Sequence, residues 1–194
     1  MKIAIVKYNS GNIYSVATAV SRLNFEPVIT ADADEIASAD KVIFPGVGEA
    51  SSAMSYLRQT GLDRIIPSLT SDVLAICLGM QLLCRASEEN KTNCLGILSH
   101  DVKRFPESAG KVPHVGWNTI TNLRSPLFEG VAERSRVYFV HSYYVDAGPD
   151  AMASTEYGRS FSSALQHENF YGVQFHPEKS GPVGSRILEN FLNL

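Results

Sequence analysis

Basic runs are missing from this chain. Its 17 Lys and Arg are scattered against 20 Asp and Glu, for a net charge of −3 and a pI near 5.9. That balance gives no electrostatic reason to expect nucleic acid or an anionic membrane surface. Long apolar runs are missing too; the longest are strand-sized, too short for a transmembrane helix. The stretch Ile3 to Val6 is also too short for a secretory leader and no cleavage site follows it, so none is expected. Cysteine is scarce: Cys77, Cys84 and Cys94 are an odd number without a CxxC pair. This argues against a disulfide framework or a thiolate zinc site and fits a reducing cytoplasm. His100, His114, His141 and His167 lack metal-ligand spacing, so neither a metal nor a cofactor is expected. Linkers, repeats and low-complexity stretches are absent as well. With 194 residues, 44% of them apolar, one globular domain over 1–194 is expected.

What is present alternates between strand and helix. Lys2 to Lys7 reads as a buried strand, and Ile13, Val16, Ala17, Val20 and Leu23 recur at helical spacing behind it, with Asn12 placed as a cap. Pro27 to Thr30 and Lys41 to Phe44 give further strands, the latter ended by Pro45-Gly46. A helix from about Glu49 to Gln59, a short one before Pro67, a strand from Val73 to Ile76 and a helix from Gly79 to Ala86 follow. This order predicts an α/β fold with a mostly parallel sheet covered on both faces. Beyond Cys94, short strands at Val102 to Phe105, Asn118 to Thr121, Val137 to Tyr144 and Ala164 to Gln166 suggest an antiparallel extension of the same sheet. Tyr171 to Phe175 and a terminal helix with Ile187, Leu188, Phe191 and Leu192 on one face close the chain.

The most informative segment is Leu74-Ala75-Ile76-Cys77-Leu78-Gly79-Met80-Gln81, a strand running into a helix with a cysteine at the turn. A free cysteine is usually a small buried hydrophobe, but a core cysteine has no need of such a turn. Amides at the start of the helix favour thiolate over thiol. Far along the chain, Pro177 pushes His176 into extended geometry, so that Glu178, two positions on, projects to the same side. A carboxylate on one ring nitrogen fixes the tautomer and supports the imidazolium. Cysteine with an oriented histidine is equipment for acyl transfer. Pro45-Gly46-Val47-Gly48 follows the third strand and lacks the Lys and Ser/Thr of a phosphate loop. At the carboxyl edge of a doubly wound sheet, the amides of Val47 and Leu78 would converge on one oxyanion. The glycines let the peptide planes rotate cheaply, which predicts a hole formed on demand.

Pro45-Gly46-Val47-Gly48, Ile76-Cys77-Leu78-Gly79-Met80-Gln81 and His176-Pro177-Glu178 together resemble the class I (triad-type) glutamine amidotransferases. Lys111-Val112-Pro113-His114-Val115-Gly116-Trp117-Asn118, Tyr138-Phe139-Val140-His141-Ser142-Tyr143 and Gly172 to Ser180 resemble, more narrowly, the glutaminase subunits of imidazole glycerol phosphate synthases. The likeness runs from Asn9-Ser10-Gly11-Asn12 to Asn190-Phe191-Leu192. It implies a flavodoxin-like three-layer fold and glutamine hydrolysis through a Cys77-His176-Glu178 triad and a γ-glutamyl thioester. In such enzymes the counterparts of Gly46, Val47 and Gly48 form a mobile oxyanion strand. Those of Gly48, Gln81, Glu89, Ser142 and Tyr143 bind the substrate, and those of Trp117, Tyr138 and Lys179 face a synthase subunit. That partner would be a (β/α)8-barrel cyclase forming a heterodimer. Two positions depart from the pattern: Ala75 stands where glycine is common, and Lys7-Tyr8 where Asp-Tyr is common. Three other readings stay open at this point: a paralogous glutaminase feeding another acceptor such as a surface sugar, a stand-alone γ-glutamyl hydrolase or cysteine peptidase, and a catalytically silent docking module.

Overall fold

The computed structural model describes residues 1–8 and 10–194; Asn9, where the family likeness begins, lies outside the described residues. The first half runs β1 (Ile3–Val6), α1 (Ile13–Ser21), β2 (Pro27–Thr30), α2 (Ala33–Ala37), β3 (Lys41–Gly46), α3 (Ala50–Thr60), α4 (Leu62–Ile65), β4 (Asp72–Cys77) and α5 (Leu78–Leu83). The second half runs β5 (Cys84–Ser87), β6 (Thr92–Asn93), β7 (Leu98–Arg104), β8 (His114–Thr119), β9 (Arg136–His141), β10 (Tyr143–Val145), β11 (Ala151–Glu156), β12 (Ser160–His167), β13 (Phe170–Val173) and α6 (Gly181–Leu192).

A seven-stranded sheet in the order β11-β12-β13-β4-β3-β1-β2 carries the fold. From β13 to β2 every neighbour is parallel, and β11 and β12 add the antiparallel edge. Side chains alternate across a strand. Ile3 and Ile5 of β1 therefore join one core with Ile13, Val16 and Val20 of α1 and Ile187 and Phe191 of α6. Ala4 and Val6 join a second core with Ile36 of α2, Met54 and Leu57 of α3 and Leu82 of α5. Both faces are apolar because both are covered, which gives the expected three layers. Among the described residues no helix is long and apolar enough to cross a membrane.

The middle of the chain departs from expectation. Only β11 and β12 extend the main sheet; β10-β7-β5-β6 form a separate four-stranded sheet, and β8-β9 a two-stranded ribbon. The stretch expected as one strand from Val137 to Tyr144 is two, β9 and β10, and the chain changes sheets at Ser142. The helix expected to reach Ala86 stops at Leu83, because Cys84 to Ser87 pair with β7 instead. Tertiary pairing there overrides local propensity. Asn12 does precede α1, but its side chain makes no cap bond; it is used elsewhere, as described below.

Candidate active site

β3 and β4 end side by side, with Gly46 in register with Cys77. The loop after one and the turn after the other therefore share the carboxyl edge, where ligands bind in open parallel sheets. Cys77 closes β4 with φ +54° and ψ −108°, a strained backbone of the kind that costs about 1–3 kcal/mol when a side chain is present. The strain turns the thiol out of the sheet. Two glycines let the turn close: a Cβ on Gly79 would collide with the Phe44 carbonyl oxygen, and one on Gly46 with the Gly79 amide nitrogen and the Tyr8 hydroxyl. Neither departure from the family pattern disturbs this. The methyl of Ala75 is buried beside its register partner Gly172, which has no side chain to compete with it, and Lys7 is exposed.

Because β13 runs parallel to β4, with Val173 opposite Ile76, the chain leaving β13 passes close to the cysteine. Gln174 Nε2 lies 3.6 Å from Cys77 Sγ. His176, two residues on, is extended (φ −100°, ψ 97°), as Pro177 dictates. Glu178 is brought back by a single 3₁₀ turn, Pro177–Lys179, and not by extended alternation as expected. Its Oε1 stands 2.8 Å from His176 Nδ1, and both side chains are fully buried. A carboxylate accepts, so Nδ1 carries the proton and Nε2 is left for chemistry; no protein group among the described residues hydrogen-bonds Nε2. Burial by itself would favour the neutral ring. The charge of Cys77, with the hydrogen bond and charge of Glu178, outweighs it and raises the His176 pKa to about 10.

A cavity of about 290 Å³ opens in front of the sulfur, the size range of a small-metabolite site. Val47, Gly48, Cys77, Leu78, Gln81, Glu89, Ser142 and Tyr143 line it, so every residue expected to bind substrate is present in the wall. His176, Glu178 and Gly46 do not line it. Glu89 Oε2 accepts from the Ala50 amide at 2.7 Å, and burial raises its pKa. It places a carboxyl group in the wall of the cavity that Cys77 also lines. Leu78 opens α5, where helix geometry leaves its amide without an intrahelical partner. The Val47 amide points elsewhere: it donates to Ser10 Oγ at 3.0 Å. Outside the cavity, Trp117 is exposed on β8 and packs edge-on against Tyr138 of β9, with ring centroids 6.0 Å apart. The Tyr138 amide donates to Ser180 Oγ and its carbonyl accepts from the His176 amide, so exposed Lys179 belongs to the same patch.

Sequence reasoning missed the roles of five side chains. Ser10 Oγ donates to Asn12 Oδ1 at 2.9 Å, and Asn12 Nδ2 donates to Glu178 Oε1 at 3.1 Å, so the presumed cap braces the Glu178 carboxylate. Gln174 faces the thiol, and the two-residue period that pairs it with His176 was the available signal. His114 and His141, register partners on β8 and β9, touch through their rings at 3.0 Å; nothing in the spacing indicated that.

The family described as Glutamine amidotransferase class-I matches residues 4–194. The chain is 57% identical to the imidazole glycerol phosphate synthase subunit HisH of Bacteroides thetaiotaomicron, with 100% of each covered. It is 42% identical to the subunit of the same name from Escherichia coli K12, again with 100% of each covered. A solved structure described as a glutamine amidotransferase shares the fold at a TM-score of 0.77 and 18% identity, covering 98% of this chain and 97% of that one. Matches at this identity that run from end to end on both sides reflect common descent, and the chain belongs to the class-I glutamine amidotransferases, among the relatives named HisH.

Proposed function

We propose that this chain is the glutaminase subunit of an imidazole glycerol phosphate synthase, one domain over residues 1–194 that feeds ammonia to a separate cyclase subunit in the cytoplasm. The Cys77 sulfur attacks the side-chain carbonyl carbon of glutamine. The oxyanion is met by the Leu78 amide and, once its peptide turns inward, by that of Val47. His176, held protonated beside the sulfur and oriented by Glu178, gives its Nε2 proton to the departing nitrogen, and ammonia leaves. The neutral ring then takes a proton from water, whose oxygen displaces Cys77 from the γ-glutamyl thioester. Glutamate is released and the protons balance. Glu89 suits the α-ammonium of glutamine, and Gly48, Gln81, Ser142 and Tyr143 complete the wall around its amino-acid end.

The observation that carries this reading is the strained Cys77 at the cavity floor with a buried His176–Glu178 pair behind it. A docking module has no need of such strain. Free ammonia in water is protonated and lost as a nucleophile, so a docked acceptor is required. The exposed Val115 and Trp117, two apart on one face of β8, with Tyr138 and Lys179 beside them, suit a (β/α)8-barrel cyclase in a heterodimer. The relatives' names favour this acceptor over a surface-sugar amidotransferase. Glutamate release measured with and without the co-expressed cyclase, for the native chain and Cys77→Ala, tests the proposal. Activity that rises with the cyclase and vanishes in Cys77→Ala is expected; activity surviving the substitution refutes it.

A further inference from the structure

The touching rings of His114 and His141 belong to a chain of hydrogen bonds whose direction is fully determined. His141 Nδ1 lies 2.7 Å from the backbone oxygen of Tyr143, which only accepts, so Nδ1 carries the ring proton. Burial, with His114 and His176 nearby, keeps His141 neutral, its pKa down to about 3. Its Nε2 is therefore bare and can only accept. His114 Nδ1, 3.0 Å away, must be the donor, and His114 Nε2 is left to accept from Asn118 Nδ2 at 3.4 Å. Burial keeps His114 neutral as well.

From Tyr143 the chain continues into the site. The same carbonyl accepts from Gln81 Nε2 at 3.1 Å; Gln81 also donates to Gln174 Oε1 at 3.0 Å, and Gln174 reaches Cys77 Sγ. The backbone changes sheets at Ser142, so the wall segment Ser142–Tyr143 is not held by the ladder of one sheet alone. Two side chains converge on its carbonyl, Gln81 from the α5 side and His141 from the β9 side.

We propose that His114, which does not line the cavity, is a positioning residue for glutamine binding: it fixes the tautomer of His141, and His141 holds the Tyr143 carbonyl where Gln81 also meets it. This rests on the reading of Ser142, Tyr143 and Gln81 as substrate-binding groups. Without the His114 donor, His141 is free to turn its proton away from Tyr143, and the wall loses one of its two anchors.

His114 also stacks on Tyr157, ring centroids 3.9 Å apart, and on Phe139, so a bland packing role must be separable. His114→Phe keeps the stack and removes both hydrogen bonds. His114→Asn restores a donor near the position of Nδ1. The test is steady-state glutamine hydrolysis by the full chain with its co-expressed cyclase, with Gln81→Met as a reference and thermal melts to verify folding. For His114→Phe, the KM for glutamine is expected to rise about tenfold, the scale of one lost buried hydrogen bond, with kcat within about threefold and a native melting temperature. His114→Asn should return KM to within about twofold of native. An unchanged KM in His114→Phe beside a raised KM in Gln81→Met overturns the relay and leaves the site reading standing. An unchanged KM in both removes the site reading and the relay with it. Equal loss of kcat and melting temperature in His114→Phe and His114→Asn assigns His114 to packing and also overturns the proposal.

Discussion

Replacing Ser10 with alanine should switch the isolated chain on. The Val47 amide, which the proposed mechanism requires in the oxyanion hole, is held instead by Ser10 Oγ at 3.0 Å, and Ser10 donates a hydrogen bond to Asn12, which in turn donates to Glu178. A neutral bond of this kind is worth about 1 kcal/mol net, and an amide stripped of its only partner in a partly buried position loses about 1–3 kcal/mol. Ser10→Ala raises the resting orientation by that amount relative to the inward-facing one. Each 1.4 kcal/mol is a tenfold population change, so glutamine hydrolysis without the cyclase should rise about tenfold. In the proposed complex, where docking would already have turned the peptide inward, no gain is expected. A slight loss should appear there because Asn12 is less firmly held against Glu178. Opposite signs with and without the partner distinguish an unlatched peptide from a general change in activity. Glutamate release by the purified chain, followed with a coupled dehydrogenase, provides the measurement, and Ser10→Thr, which keeps the oxygen, should stay slow. A folded Ser10→Ala with the native partner-free rate would refute the latch.

Strain at Cys77 predicts a second effect. Cys77→Gly removes the sulfur and all hydrolysis, yet glycine accepts φ +54° freely. After subtracting the lost burial of a small side chain, a gain of about 1 kcal/mol remains, or about 2–4 °C in melting temperature for a domain of this size. A lower melting temperature by calorimetry would show that the backbone there is not strained. The buried imidazoles set the pH dependence of stability. His141 titrates at about 3 in the fold against 6.5 ordinarily, so the unfolded chain binds the extra proton and stability falls as pH drops from about 6.5 toward the folded value. His176 is the reverse. With its pKa raised to about 10, its contribution is complete below about 6.5 and is lost as pH rises toward 10. Urea midpoints should therefore peak near neutrality and fall on both sides between pH 5 and 9. A curve still rising at pH 9 would contradict the His176 assignment.

How much of this was legible in the sequence follows from how far each interaction reaches. β1 to β4, α1 and α3 were readable because both signals, apolar runs of strand length and the 3.6-residue stripe of Ile13, Val16 and Val20, lie within a few turns of chain; the five-residue α2 is too short to show such a stripe and went unread. The Cys77 turn was readable for the same reason: strand, cysteine and Gly79 are contiguous. The separate sheet of β10-β7-β5-β6 was not, because Cys84 to Ser87 continue an apolar helical pattern and become a strand only through pairing with β7. His176 and Glu178 were correctly joined but by the wrong route, since a 3₁₀ turn and an extended segment both bring residues two apart within reach of each other. Asn12 is the sharpest case. By local grammar it is a helix cap, and it occupies that position. Its amide goes instead to a carboxylate 166 residues away, because a buried anion loses more from a missing donor than a helix end loses from a missing cap. Local propensity therefore yields where a buried charge competes for the same side chain, and Ser10, which in turn donates to Asn12, was hidden with it.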